Sequence, residues 1–254
     1  MAFQDQYFSG QGVLYVADRD ASGNILPFRD VGNVPSLTIA LETEVQEHKE
    51  SRTGKRLTDF RLTTEQRARV TMTLEKFTKK NLMLLLYGSE STNTSNTVTT
   101  GYILRSSVTS VAVGDVYFTK YPSVSAVTVK ANSTSLTLNT DYKLDATTGR
   151  IEILSIANMG STGSLNVDYT AAAYESVIMF KDANKERALR FEGLNTADSE
   201  RPVQIELYRI IFDPAGNLDV INDELAQFEI EGSVLVDTTR VNDATLGGFG
   251  RIIQ

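Results

Sequence analysis

The sequence predicts a mainly β protein: a β-barrel or sandwich flanked by one α-helix, with a small β-sandwich inserted into it. Three observations lead to this prediction. Apolar and polar residues alternate with a period of two over several segments, as they do in half-exposed antiparallel strands. One segment is rich in helix formers. A run of Ser and Thr, followed by short alternating segments, interrupts the series of longer strands.

The clearest strand begins at Leu37. Apolar residues alternate with polar ones there, and we expect the apolar set to face the core: Leu37, Ile39, Leu41 and Val45. The next segment, 49–56, contains no apolar residue and predicts an exposed loop. Alternation resumes over 57–62 and again over 70–74, so we expect a hairpin that joins two strands.

A single helix is predicted between Phe77 and Gly88. Residues 82–86 are all apolar, so the end of this helix should be buried against a sheet or a neighbouring element. Thr78 or a residue near it is the expected N-cap, and Gly88 is the expected C′ residue.

The chain divides into a discontinuous domain, 1–104 with 174–254, and an inserted module, 105–173. Residues 89–100 contain eight Ser or Thr in twelve and predict a linker. The short strands of 105–173 alternate with turns, as in a small β-sandwich. Acids and bases balance in this segment, five of each, whereas 192–243 holds twelve acids and three bases. Long strands return after Tyr174.

The composition excludes several classes of function. The chain has 254 residues and no cysteine, which rules out disulfides, thiolate metal sites and cysteine nucleophiles. A formal charge of −7 argues against broad phosphate binding. No apolar run approaches the roughly 20 residues that span a bilayer, and we expect no membrane span. The first ten residues lack a basic region followed by an apolar one, so we expect no secretory signal.

No constellation predicts catalysis, a metal site or a cofactor. His48 is the only histidine, and it lies in charged surroundings that we interpret as a solvated loop. The pairs Asp223–Glu224 and Glu229–Glu231 are typical of solvated faces. Residues 213–223 resemble a calcium loop only loosely, because the spacing does not match an EF-hand. Glycines at 247, 248 and 250 precede no helix, and they predict a flexible or interface-ordered tail.

Residues 32–88 resemble the core of bacteriophage major tail tube proteins. The segment VGNVPSLTIALETEVQEHKES is a long strand that enters a charged hairpin loop, RTGKRLTDFRLTTEQRARVTMTLEKFT contains the return strands, and KKNLMLLLYG is a helix that ends in glycine. The inserted segment is similar to the immunoglobulin-like modules that phage tail proteins carry, and NTDYKLDATTGRIEIL has their strand–turn–strand character.

This resemblance implies a self-assembling structural protein located in the virion tail and assembled in the host cytoplasm. Subunits of this family form rings, usually hexameric, that stack into a hollow tube. Other tail proteins bind the tube ends, and viral DNA passes through the channel without specific binding. The long hairpin, here 45–57, reaches the adjacent ring, so four bases become inter-ring contacts: Lys49, Arg52, Lys55 and Arg56.

The channel wall is expected to be acidic, because carboxylates repel the phosphates of passing DNA. Alternation sends one set of glutamates away from the core on two predicted strands, and these are the expected lumen-facing residues: Glu42, Glu44, Glu229 and Glu231. The same alternation also fits an ordinary solvated exterior, since strand polarity alone does not distinguish the lumen from the outside.

Three other functions compete with this one. A secretion-system tube protein would share the fold, but such proteins are typically shorter and lack the insertion. A carbohydrate-binding or adhesive surface protein would act through the inserted module, whose tyrosines and phenylalanine are scattered and do not cluster. The third alternative is an enzyme of unrecognised type, but the sequence shows no set of catalytic residues.

Overall fold

The computed structural model describes residues 7–93, 96–182 and 185–254. It divides the chain into two compact units, Met1–Ser89 with Val177–Gln254, and Glu90–Ser176. Strands dominate both units, and the described residues contain a single α-helix. The predicted fold class, mainly β with one helix, is therefore confirmed.

Seventeen strands, one α-helix and one 3-10 turn make up the described chain. In chain order they are β1 (Gly10–Asp18), β2 (Arg29–Asp30), β3 (Ser36–Lys49), β4 (Thr58–Leu74), α1 (Lys79–Leu85), β5 (Ser89–Asn93), β6 (Thr97–Arg105), the 3-10 turn Val108–Ser110, β7 (Val116–Phe118), β8 (Val124–Ala131), β9 (Thr134–Ser135), β10 (Tyr142–Asp145), β11 (Arg150–Ile153), β12 (Leu165–Ala171), β13 (Tyr174–Ile178), β14 (Glu186–Asn195), β15 (Arg201–Phe212), β16 (Phe228–Val234) and β17 (Gly250–Ile253).

The first unit is built on one antiparallel sheet. Its strand order is β2-β1-β14-β15-β16-β4-β3, and β17 pairs with part of β15. Alternate residues of the central strands, such as Met72 and Leu74 on β4 and Phe228 on β16, are almost fully buried and form one apolar core. The order begins with β2 and ends with β3, so each of these strands is an edge of the sheet.

Helix α1 closes this core, as predicted. The Thr78 hydroxyl accepts a hydrogen bond from the Asn81 backbone N–H, and Leu84 and Leu85 are buried against the sheet. The C-terminus differs from the prediction. Tyr87, and not Gly88, adopts the left-handed conformation (φ 48°), while the Gly88 N–H donates to the Met83 carbonyl at 2.9 Å.

Gly88 is required at the helix end for a steric reason. A Cβ on this residue would lie 2.4 Å from the Val177 Cγ1, too close for any side chain. We expected Gly88 for its backbone conformation, but its role is to let the helix end lie close to Val177.

The second unit has its own core between two sheets. The larger sheet has the order β6-β12-β8-β9 and the smaller one β10-β11-β7. Their facing side chains are buried together, including Ile151 from the smaller sheet and Val129 and Leu165 from the larger one.

The boundaries of this unit differ from those predicted. Residues 97–104, which we expected to be linker and barrel, belong to β6 and pair with β12 in the second unit. Most of the Ser/Thr-rich segment is likewise strand and not linker, since it also contains β5, which pairs with β13. Thr is β-branched and suits a strand, so the composition that predicts a loop also permits this pairing.

The glycine-rich tail is also ordered by pairing. Gly250 begins β17 and lies opposite Leu207, where a Cβ would approach the Glu206 carbonyl oxygen to 2.1 Å. The predicted flexible or interface-ordered tail is therefore wrong for residues 250–253, because glycine here lets two backbones pair closely.

Candidate assembly surface

Strands β3 and β4 extend far beyond the core as a two-stranded ribbon, which we call the arm (residues 41–67). Every arm residue is exposed except Glu50, which is half-buried. The ten residues from Thr58 to Arg67 alone carry the arm about 30 Å past the sheet, at roughly 3.3 Å per residue. The arm is thus longer than the predicted hairpin, 45–57.

Two residues that we expected in the core lie on the arm instead. Leu41 is 80% exposed and Val45 is also exposed, whereas Leu37 and Ile39 pack against the core. The apolar residues do alternate along β3, but the apolar core that would cover them ends near Ala68, the partner of Leu41. The arm carries further exposed apolar side chains just before and on its return strand, and they are Leu57, Phe60 and Leu62.

A one-residue bulge decides which side of the arm Phe60 and Leu62 occupy. Glu44 lies opposite Glu65, but Val45 lies opposite Thr63, so Thr64 is an extra residue on β4. The Thr64 hydroxyl donates to the Glu44 carbonyl at 3.2 Å. Beyond the bulge, Leu62 and Phe60 turn to the side opposite the core.

The tip of the arm, residues 49–56, is basic. It carries four bases and one acid, and the four bases are the predicted inter-ring residues: Lys49, Arg52, Lys55 and Arg56. Glu50 organises the turn, because its carboxylate accepts hydrogen bonds from the backbone N–H groups of Arg52 (2.6 Å) and Thr53 (2.9 Å). The hydroxyl and backbone of Thr53 lower the pKa of this carboxyl.

None of the four tip bases forms an ion pair within the part of the chain that the structure describes. Arg52, Lys55 and Arg56 are exposed, as is Lys49 at the end of β3. Two residues of the turn are left-handed, Gly54 at φ 74° and Arg56 at φ 51°. The turn is therefore organised by its own hydrogen bonds and leaves its positive charges to the solvent or to a partner.

His48 lies on strand β3 and not in a loop. Its Nδ1 is 2.6 Å from the Asp59 Oδ1, and both side chains are exposed on the arm. An exposed pair on a ribbon with no protein beneath it does not exclude water, so this His–Asp contact offers no catalytic pocket.

The four predicted lumen residues share one face of the sheet. Glu42 lies opposite Arg67, and on the neighbouring strand Glu229 and Glu231 lie opposite Thr73 and Thr71. The intervening residues of β4, such as Met72, point into the core. Strands β3, β4 and β16 therefore present a common polar face on the side of the sheet away from the core.

This face is not uniformly acidic, because Arg67 and Arg69 share it with five glutamates: Glu42, Glu44, Glu65, Glu229 and Glu231. Arg67 lies 3.2 Å from Glu44 and donates two hydrogen bonds of 2.6 Å to Glu65, which lowers the pKa of the Glu65 carboxyl. Arg69 lies 3.5 Å from Glu231. The expectation from the glutamates alone missed these arginines, which the register of β4 brings between the acidic strands.

Carboxylates concentrate at the end of the sheet opposite the arm. The loop that joins β15 to β16 (residues 213–227) lies over a groove of about 500 Å³, whose acidic lining comprises Asp213, Asp219, Glu229 and Glu231. The described residues contain no group of three or more acidic or histidine side chains positioned to hold a metal ion. The calcium interpretation of residues 213–223 therefore gains no support.

Residues 7–253 match the family described as Protein of unknown function UCP028589. The chain belongs to this family. The family match includes the arm, the acidic loop and the whole second unit. No curated protein matches the chain. In the described residues of this family member, no helix is long and apolar enough to cross a membrane.

One buried polar cluster was not predicted from the sequence. The Arg19 guanidinium, 5% exposed, donates to the Asp237 carboxylate at 2.9 Å and to the Tyr208 carbonyl at 2.6 Å. Arg209 and Glu186 form a second ion pair beside it. These residues come from distant parts of the chain, so only the topology of the sheet brings them together.

Proposed function

We propose that the chain is the structural subunit of a virion tail tube, in which rings of this protein stack to form the channel for viral DNA. The arm is the observation that carries the proposal. It holds Leu57, Phe60 and Leu62 in the solvent, where three large apolar side chains on a thin ribbon gain no burial from their own chain.

A two-stranded ribbon by itself is marginally stable in water. The arm is long, its strands stay paired through two register shifts, and Phe60 and Leu62 lie on a side where only another molecule can cover them. In a stack of rings, a second copy of the chain would cover these apolar side chains in every subunit.

The edges of the main sheet support lateral assembly. Strand β3 is an edge of fourteen residues and β2 forms the opposite edge. An open edge of the length of β3 pairs readily with other strands. Joining the β3 edge of one subunit to an edge of the next would close a ring and satisfy these backbone groups.

In this assembly, the polar face of β3, β4 and β16 is the wall of the channel. Its glutamates alternate with Arg67 and Arg69, so the wall carries charges of both signs in close pairs. Paired charges leave little net attraction for phosphates, and the DNA can slide without binding. Glu229 and Glu231 lie at the end of this face, where one ring meets the next.

Electron microscopy of the purified protein over a range of concentrations tests the proposal. We expect rings and stacked tubes from the full chain. As a matched control, replacing residues 45–64 with Asn-Gly should shorten the arm at a point where Glu44 and Glu65 are directly opposite, which suits a two-residue hairpin turn. The shortened protein should melt at the same temperature and form no tubes.

A full-length protein that remains a monodisperse monomer at every concentration would overturn the proposal. Tubes of normal length from the shortened protein would remove the arm from the assembly contact.

A further inference from the structure

The loop of residues 213–227 is anchored at both ends and exposed in the middle. Ala215 donates its backbone N–H to the Leu85 carbonyl at 2.8 Å, and Leu218 and Ala226 pack against the core. The seven residues between these anchors, 219–225, stand out from the sheet, and we call them the crest. Ile221 is 94% exposed and Leu225 is 89% exposed.

The crest combines acidic and apolar side chains. It contains three acids and no base, and its three large apolar residues are all exposed: Val220, Ile221 and Leu225. Within the described residues, Asp219, Asp223 and Glu224 form no ion pair. The groove beside the crest adds further carboxylates, among them Asp213 and Glu229.

The arm tip has the same composition with the opposite charge. Four bases and one acid occupy 49–56, and the apolar side chains of Leu57 and Phe60 follow directly. One surface of the molecule is therefore basic and apolar, and another is acidic and apolar. Such a pair of surfaces is complementary in both respects, and charge complementarity selects partner and register.

The two surfaces lie at opposite ends of the same sheet. The crest adjoins the start of β16, which pairs with Leu74, while the arm tip begins before Thr58. Strand β4 separates these positions by fifteen or more residues, or about 50 Å at roughly 3.3 Å per residue. The tip of one molecule therefore cannot reach its own crest.

We infer that the basic arm tip of one copy docks on the acidic crest and groove of a second copy. This inference rests on the proposed function, because the second copy is the next subunit along the tube. A contact between two different surfaces of identical molecules is heterologous, and repetition along one direction gives an open stack. In this arrangement, Glu229 and Glu231 at the groove face the docked tip.

A cross-linking experiment tests the contact directly. The chain has no cysteine, so a single introduced thiol is unique. Two full-length variants, Lys55→Cys and Asp223→Cys, are mixed at a concentration that gives assembly and are then oxidised mildly. We expect disulfide-linked dimers that contain one copy of each variant. The matched control replaces Asp223→Cys with Thr134→Cys, an exposed residue of the other unit, and should give no such dimer.

Charge reversal tests the electrostatic part of the inference. We expect Lys55→Glu with Arg56→Glu to raise the critical concentration for assembly about tenfold or more, because like charges then meet. Asp223→Lys with Glu224→Lys should do the same. The protein with all four changes should assemble within about threefold of the unchanged chain, since the attraction is restored with reversed signs. Thermal melting should be unaffected in all three, as every changed side chain is exposed.

The outcomes separate this inference from the proposed function. Tubes that form without the mixed cross-link, or a fourfold variant no better than the double variants, would overturn the docking site and leave the tube proposal standing. A mixed cross-link in short oligomers that never become tubes would support the docking site and contradict the tube. A full chain that neither assembles nor cross-links overturns both.

Discussion

At the scale of single residues, the buried Arg19–Asp237 pair joins the start of the main sheet to its C-terminal segment. Burial alone raises the pKa of Asp237, but hydrogen bonds from Thr239 and Arg19 lower it by more, so the net pKa is below its ordinary value of 3.8. A carboxyl whose pKa is lower in the folded state stabilises the fold above its unfolded pKa. That contribution is lost as the pH falls through the lower, folded value.

Replacing this carboxylate tests the linkage. We expect Asp237→Asn to lower the free energy of unfolding at pH 7 by about 3 kcal/mol, because it leaves the Arg19 charge buried without its closest partner. Between pH 5 and pH 3 the variant should lose less stability than the unchanged protein, since one titrating group is gone. Urea unfolding at both pH values measures the difference, and equal losses in the two proteins would contradict it.

The role of a residue could be predicted from the sequence where it depends on adjacent residues. It could not be predicted where it depends on residues that are distant in the chain. Thr78 caps the helix as predicted, because the cap depends only on the residues beside it. Arg67 and Arg69 were missed because their partners, Glu44 and Glu231, lie on other strands. Leu41 was misplaced for a related reason: alternation shows that a strand has an apolar side, but not what covers that side.

At the scale of elements, the chain contains two units with separate cores. Ser176 donates its side-chain hydroxyl to the Ser91 carbonyl at 3.1 Å, so the two ends of the second unit lie side by side. The sequence predicted the insertion but placed its start too late. Serine and threonine are common in loops and also suit edge strands, so composition alone does not distinguish a linker from β5 and β6.

The adjacent ends make the second unit removable. We expect that replacing residues 90–176 with a short Gly/Ser linker leaves the first unit folded, because its apolar core draws no residue from that range. Circular dichroism and thermal melting check the fold, and microscopy checks that rings still form. A variant that is insoluble or melts without cooperativity would show that the first unit depends on the inserted one.

At the scale of the whole molecule, positive and negative charges concentrate at opposite ends of the first unit. The arm tip is basic, the opposite end of the sheet is acidic, and between them the polar face of β3, β4 and β16 carries charges of both signs. The sequence gives the net charge of −7 but not this distribution, which depends on the direction in which each strand runs. A molecule with such an axis associates most readily end to end.

The polar face of β3, β4 and β16 gives a test of the channel wall. We expect Glu42→Lys with Glu44→Lys to permit tube assembly, since both residues are exposed, but to slow DNA ejection. The added bases would join Arg67 in a ring of positive charge that binds phosphates, with the strongest effect at low salt. Ejection rates at two salt concentrations measure this effect, and a tube structure with both residues on its outer surface would refute it.

The bulge at Thr64 has a consequence for how this arm can change. By plain alternation from Ala68, residues 62 and 60 would point to the core side of the ribbon, and the extra residue turns them over. Gain of one residue in β3 between Glu44 and Val45, opposite Thr64, would restore plain alternation on both strands and invert the distal ribbon while leaving its composition, length and charge almost unchanged. The orientation of the arm is thus a matter of odd or even residue count, and a single codon is enough to reverse it.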